Sequence, residues 1–241
     1  MLYFLLQPLL IYHWILIIAA LIPAIILFVK VYKSDRLEKE SPALLWSLVT
    51  GGILSTLLAM IEETVGQWIL DSALPNGGVL YDVIMYFGIV AIAEETSKYI
   101  FLRSRTWNNP EYNCVFDGVV YAVFVSLGFA LWENISYVLN YGFSTALVRA
   151  VTAIPGHASF GVFMGVFYGL AKKAERSGDT AKGKLLCFAG VAAAALMHGL
   201  YDFLASQETE DGAIWFFIFI IVLFIVAYRM VSISSKNDKY I

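Results

Sequence analysis

The chain has 241 residues, of which 60% are hydrophobic and only 15% charged, with a formal net charge of −3. A soluble domain carries about 45–50% apolar residues, so the composition excludes an ordinary soluble globule and indicates an integral membrane protein. The small net charge gives no reason to expect a nucleic-acid partner. Cys114 and Cys187 have neither metal-type spacing nor a disulfide framework and read as inert.

The opening stretch MLYFLLQPLLIYHWILIIAALIPAIILF lacks a basic n-region and a small-residue cleavage site, which predicts a retained span rather than a signal peptide. A crossing needs about 20 apolar residues. Seven segments meet that need in order: 9–29, 43–61, 79–102, 118–139, 146–171, 185–204 and 213–228. The expected fold is therefore an all-α, polytopic membrane helical bundle of about seven transmembrane helices, with no separate soluble domain. Lys30, Lys33, Arg36 and Lys39 follow the first span, Arg103 and Arg105 the third, Lys172 to Lys184 the fifth, and Arg229, Lys236 and Lys239 the seventh. The opposite loops carry Glu62, Glu63, Asp71, Asp82, Glu208, Glu210 and Asp211, with Arg149 as their one basic residue. This alternation predicts an outside N-terminus and a cytoplasmic C-terminus.

Ionisable side chains inside spans are expensive and mark function by default. Span three holds Glu94, Glu95 and Lys98 in AIAEETSKYIF. Span four holds Glu133 and Asn134 in GFALWENISY, span five His157 in IPGHASFG, and span six His198 and Asp202 in LMHGLYD. Residues four apart share a helix face. Glu94 with Lys98, Phe129 with Glu133, and His198 with Asp202 each share one. His157 heads a stripe continued by Gly161, Gly165 and Gly169, which admits a close neighbouring helix.

Taken singly, each group has a structural reading: an intrahelical ion pair, a hydrogen-bonded core histidine, helix glue at Glu133–Asn134, packing at the glycines. Four such groups on four successive helices point instead to one site. Depth along the spans puts Glu133, His157 and His198 in the outer half of the bilayer and Glu94 and Glu95 nearer the midplane, several ångströms too deep to meet them, unless tilt or a later start of span three closes the gap.

The residue types suit activation of water, by a carboxylate base or by a metal. Two adjacent carboxylates cannot both ionise cheaply. Glu94, Glu95, Glu133 and Asp202 gather more negative charge than Lys98 offsets, so protons or a divalent cation must supply the rest. Histidine and carboxylate are normal zinc ligands, and Glu95, Glu133, His157 and His198 are the candidate set.

EETSK resembles the EExxK motif of the PrsW family of intramembrane proteases, FALWE its FxxxE, HASFG its HxxxG and HGLYD its HxxxD, in family order from Glu94 to Asp202. The family is similar to the CAAX prenyl endopeptidases. The resemblance implies one integral membrane protease domain over 1–241, with a motif-bearing core at about 79–204. It implies a cell-membrane endopeptidase acting near the extracytoplasmic side of a membrane-anchored substrate, such as a single-span anti-sigma factor. Carried over, Glu94 and Glu95 are the water-activating pair, Lys98 balances charge, Glu133 joins the site, His157 and His198 are ligands or proton carriers, and Asp202 orients or ligates. Phe129, Asn134 and Gly161 support them. Metallo- and glutamic-type mechanisms both remain open, and one divalent metal, zinc by ligand type, is the expected cofactor of the first. A non-enzymatic scaffold of the same fold and a proton-coupled transporter are the competing readings.

Overall fold

The computed structural model describes residues 2–241, with side chains from Ile11 onward. The described residues form α1 (Leu2–Ser34), α2 (Pro42–Ala73), α3 (Val79–Val83), a π-helical segment (Ile84–Val90), α4 (Ala91–Thr106), α5 (Asp117–Tyr141), α6 (Phe143–Val151), α7 (Ala153–Arg176), α8 (Thr180–Ala205) and α9 (Glu210–Lys236). Six helical stretches are long and apolar enough to cross a membrane. The seventh rod runs unbroken from α3 through the π segment into α4 and falls outside that set because charged residues interrupt its apolar run. The protein is thus an all-α, multi-pass membrane bundle.

Helix α5 is the hub, buried along its inner two-thirds, while α1 and α9 are the most exposed and face the lipid. Small residues set the approach of its neighbours. A Cβ on Gly128 would stand 2.3 Å from the Val49 carbonyl oxygen of α2, and one on Gly169 would stand 2.1 Å from the Val115 carbonyl oxygen. Gly165 and Gly161 meet Gly118 and Ser126 of α5 in the same way. The stripe below His157 is therefore a packing seam, as small-xxx-small patterns are in lipid.

Most helices run a few residues past the spans read from the sequence, and two differences bear on the site. The second span does not end at 61: α2 continues to Ala73, because nothing breaks it before the Pro75-Asn76-Gly77-Gly78 turn. Glu62 and Glu63 are hence helical rather than in a loop. The fifth span is two helices, α6 and α7, that meet at Thr152. At the opposite end, Ser41 caps α2, and Glu111 accepts from its amide (2.7 Å) and hydroxyl (2.8 Å). The C-terminal tail folds back there, with Val115 N donating to Lys239 O (3.0 Å) and Ile241 N to Asn113 O (2.8 Å).

Candidate active site

Helix α4 carries Glu94, Glu95 and Lys98 on its inward face, and all three are buried. The Lys98 ammonium donates to Glu95 Oε1 (2.7 Å) and Glu94 Oε2 (3.0 Å), lies 3.2 Å from His157 Nδ1, and sits 4.0 Å above the Phe129 ring centre. The intrahelical pair read from i,i+4 spacing is real, but the lysine holds both carboxylates and a histidine from α7 as well. His198 Nδ1 is 2.9 Å from Glu95 Oε1, and its Nε2 is 3.2 Å from Asp202 Oδ2 on the same helix face. His157 Nε2 is 2.8 Å from Glu133 Oε2. The imidazoles meet edge to face with ring centres 5.2 Å apart, and Phe160 stacks on His198.

Both histidines are thus oriented alike. Each turns Nδ1 toward the Glu94–Glu95–Lys98 group and is backed at Nε2 by a carboxylate, Glu133 for His157 and Asp202 for His198. A carboxylate behind the distal ring nitrogen is the usual support of a metal-binding histidine. Donor atoms of Glu94, Glu95, His157 and His198 lie within 4.8 Å of one another. Glu95 Oε2 is buried with no hydrogen-bond partner. Two carboxylates and two imidazoles match zinc chemistry. The sequence-derived set differs by one residue: in this arrangement Glu94 joins the group, and Glu133 stands behind His157 instead.

The depth gap expected between the carboxylate pair and the other groups does not occur. At about 1.5 Å per residue, the 32 residues of α2 span about 48 Å, more than a hydrocarbon core of about 30 Å. The ends of α2 and of the α3–π–α4 rod therefore need not coincide with the edges of the core, and depths of Glu94 and Glu95 counted from the ends of the apolar runs do not hold. The π turn just before α4 advances less along the axis than an α turn, and such turns cluster at functional sites. The break at Thr152 puts His157 only four residues into α7.

Three contributors escaped the sequence reading of the site. Arg149 of α6 binds Glu133 Oε2 (2.9 Å) and, through Nε, Asn134 Oδ1 (3.0 Å), with Tyr137 beneath its guanidinium. Its being the one basic residue among the acidic loops of that end of the bundle was the available signal. Asn134 also donates to Ala20 O of α1 (3.1 Å), so it both glues helices and holds Arg149. Glu63, read as a loop residue, lines the cavity, and Glu62 accepts from Ser97 Oγ (3.3 Å).

The cavity has a volume of about 590 Å³, and Glu63, Glu94, Glu133, His157, His198 and Asp202 contribute to its wall. Glu95 and Lys98 lie behind that wall. Leu57 and Met60 of α2 and Trp132 and Tyr137 of α5, all exposed, form its apolar rim.

A membrane bundle with buried carboxylates and imidazoles converging on an open cavity has the groups that a membrane-embedded hydrolase needs to activate water. Comparison with known proteins gives the particular family. The profile described as PrsW family intramembrane metalloprotease matches residues 39–229, and the chain belongs to that family. It is 32% identical to Protease PrsW of Bacillus subtilis over 192 residues, 79% of this chain and 83% of the relative. It is 30% identical to Protease PrsW of Geobacillus kaustophilus over 217 residues, 90% and 91% of the two chains, and 26% identical to Protease PrsW of Clostridioides difficile over 232 residues, 93% and 91%. No solved structure matches the chain.

Proposed function

We propose that this protease hydrolyses a peptide bond of a membrane-anchored protein near the outer face of the bilayer, with Glu94, Glu95, His157 and His198 holding a zinc ion. The observation that carries the reading is the matched pair of histidines, each with Nδ1 toward the carboxylate pair and a carboxylate behind Nε2. Charge agrees with it. Of the four carboxylates in the motifs, Lys98 and Arg149 neutralise two; one divalent cation balances the two negative charges that remain. A bound zinc lowers the pKa of its water toward neutrality and polarises a carbonyl.

The chain's own residues then have distinct tasks. Glu133 and Asp202 accept the Nε2 protons of His157 and His198 and leave each Nδ1 lone pair directed inward. Arg149 fixes Glu133. Lys98 supplies a positive charge to the carboxylate pair. Phe129 and Phe160 exclude water behind the imidazoles. The apolar rim between α2 and α5 suits entry of a lipid-embedded segment, and a single-span anti-sigma factor is the substrate class the family resemblance implies. We place the N-terminus outside and the C-terminus in the cytoplasm, from the basic loops.

One observation favours a metal-free variant of the same activity: Lys98 Nζ already touches three of the four donor residues. In that variant Glu94, the member of the pair that reaches the cavity, takes the proton from water, and the histidines donate to the oxyanion. Metal analysis of the purified protein, alongside cleavage of a co-reconstituted single-span substrate, decides. About one zinc per chain, lost with activity on chelation and restored together with it, is expected. Full activity at zero metal content sinks the zinc reading, and no cleavage by protein with restored zinc, across single-span substrates, sinks the protease reading.

A further inference from the structure

At the opposite end of the bundle lies a second group of acids that the protease reading does not use. Asp35 and Glu40 sit in the 35–41 loop between α1 and α2, and Asp117 begins α5. Glu133 is sixteen residues further along α5, about 24 Å away along the helix axis. All three acids are buried, Asp35 and Glu40 at 3% exposure and Asp117 at 0%. One carboxylate oxygen from each lies within 4.8 Å of the other two. Oxygens bound at about 2.4 Å to a common calcium ion can be at most about 4.8 Å apart, so the spacing is that of a ligand set.

The independent observation is what these oxygens lack. Both oxygens of Asp35, both of Glu40 and Oδ1 of Asp117 are buried with no partner in hydrogen-bonding geometry; the groups facing them are the Tyr121 hydroxyl, near Glu40 and itself unpartnered, and the Leu37 amide, near Asp35. Among the described residues no lysine or arginine forms an ion pair with any of the three acids. Lys39, the cation that Asp35 feels, directs its ammonium to the backbone carbonyls of Tyr32 and Asp35. Asp117 is meanwhile held rigidly, its Oδ2 accepting from the amides of Cys114 (2.7 Å) and Asn113 (3.0 Å) while Oδ1 stays free. Asp238 of the C-terminal tail repeats the pattern. Its Oδ1 accepts from the amides of Phe116 and Lys239 (2.8 Å each), and its Oδ2 is buried and unpartnered, as is Asn113 Oδ1. Burial, joined for Glu40 by the neighbouring Asp117, pushes the Asp35 carboxyl up to about 6 and that of Glu40 up to about 9. Buried acids left without a partner are costly.

We propose that Asp35, Glu40 and Asp117 form a second metal site, for a hard divalent cation such as Mg²⁺ or Ca²⁺, separate from the protease centre. The donors are all oxygen, with no imidazole or thiolate, which selects hard cations over zinc. The ion ties the α1–α2 loop to the start of α5, and Asp238 brings the C-terminal tail beside it. Its task is structural: it fixes the end of the bundle remote from the cavity.

The test is thermal unfolding of the full-length protein in detergent, followed by tryptophan fluorescence after chelation and dialysis. MgCl₂ or CaCl₂ is added at constant ionic strength. A saturable rise in Tm of about 5–10 °C at a hundredfold excess over Kd is expected. The rise should persist in Glu95→Gln and vanish in Asp35→Asn/Glu40→Gln, whose metal-free Tm should exceed that of the metal-free native protein because repulsion is relieved. If the double variant does not fold, Asp35→Asn alone and Mn²⁺ titration of the native and Glu95→Gln proteins by electron paramagnetic resonance take its place. About one Mn²⁺ that survives Glu95→Gln and is displaced by excess Mg²⁺ or Ca²⁺ is expected. No saturable response to Mg²⁺ or Ca²⁺, a response to zinc alone, or one that survives loss of Asp35 and Glu40 overturns the proposal. None of these readouts uses proteolysis, so failure here is distinguishable from failure of the protease reading.

Discussion

Asp202 offers a graded test of the active-site arrangement, because Asn and Ala remove different parts of one interaction. Its Oδ2 lies 3.2 Å from His198 Nε2, and the side chain is 23% exposed. Asp202→Asn retains an oxygen that can accept the Nε2 proton but loses the charge. A hydrogen bond to a charged acceptor is worth about 1.5–3 kcal/mol and a neutral one about 0.5–1.5, so the charge itself carries about 1 kcal/mol, or roughly fivefold in rate or metal affinity. Asp202→Ala removes the whole bond. Partial exposure screens the charge and places that loss at the lower half of the range, about 1.5–2.2 kcal/mol, or roughly 10- to 40-fold. This agrees with the 10- to 100-fold that carboxylates behind metal-bound histidines usually contribute. The assay is kcat/KM on a co-reconstituted single-span substrate, paired with zinc retention against a competing chelator. Activity and retention should both fall in the order native, Asn, Ala. An alanine variant equal to the native protein in both readouts, or an asparagine variant as impaired as alanine, would refute the orienting role.

Glu95→Gln should abolish cleavage and also destabilise the fold by about 3–5 kcal/mol, since it strips one partner from a fully buried ion pair; an active variant of native stability counts against the site. Arg149→Met should lower kcat/KM by about tenfold or more by releasing Glu133, with Arg149→Lys recovering part of it; equal losses in the two variants would show that the guanidinium's charge is not what matters. Gly128→Ala should cost about 1–3 kcal/mol in thermal unfolding, since its Cβ would meet the Val49 carbonyl oxygen, and an unchanged Tm would contradict the tight α2–α5 crossing. Single cysteines at Gly178 and Glu208, probed with an impermeant reagent in intact cells, should label only at Glu208; the reverse pattern overturns the orientation.

Much of this protein follows from local sequence. Membrane insertion follows from composition, because the hydrophobic effect needs only apolar length. The pairs on one helix, Glu94–Lys98 and His198–Asp202, follow from a 3.6-residue period, which fixes which side chains share a face whatever the rest of the chain does. The packing role of the glycine stripe follows for the same reason. What the period does not encode is the depth and rotation of one helix against another. Those depend on where each helix passes its neighbour, and here glycine crossings, the π turn before α4, the overlong α2 and the break at Thr152 set them. Only the tertiary structure therefore decided that Glu94 and Glu95 meet the histidines, that Glu133 backs His157, and that Arg149 and Glu63 belong to the site. The gathering of Asp35, Glu40 and Asp117 is of the same kind. A loop and a helix start far apart in sequence converge only once α1, α2 and α5 have packed, and no pattern along the chain records that meeting.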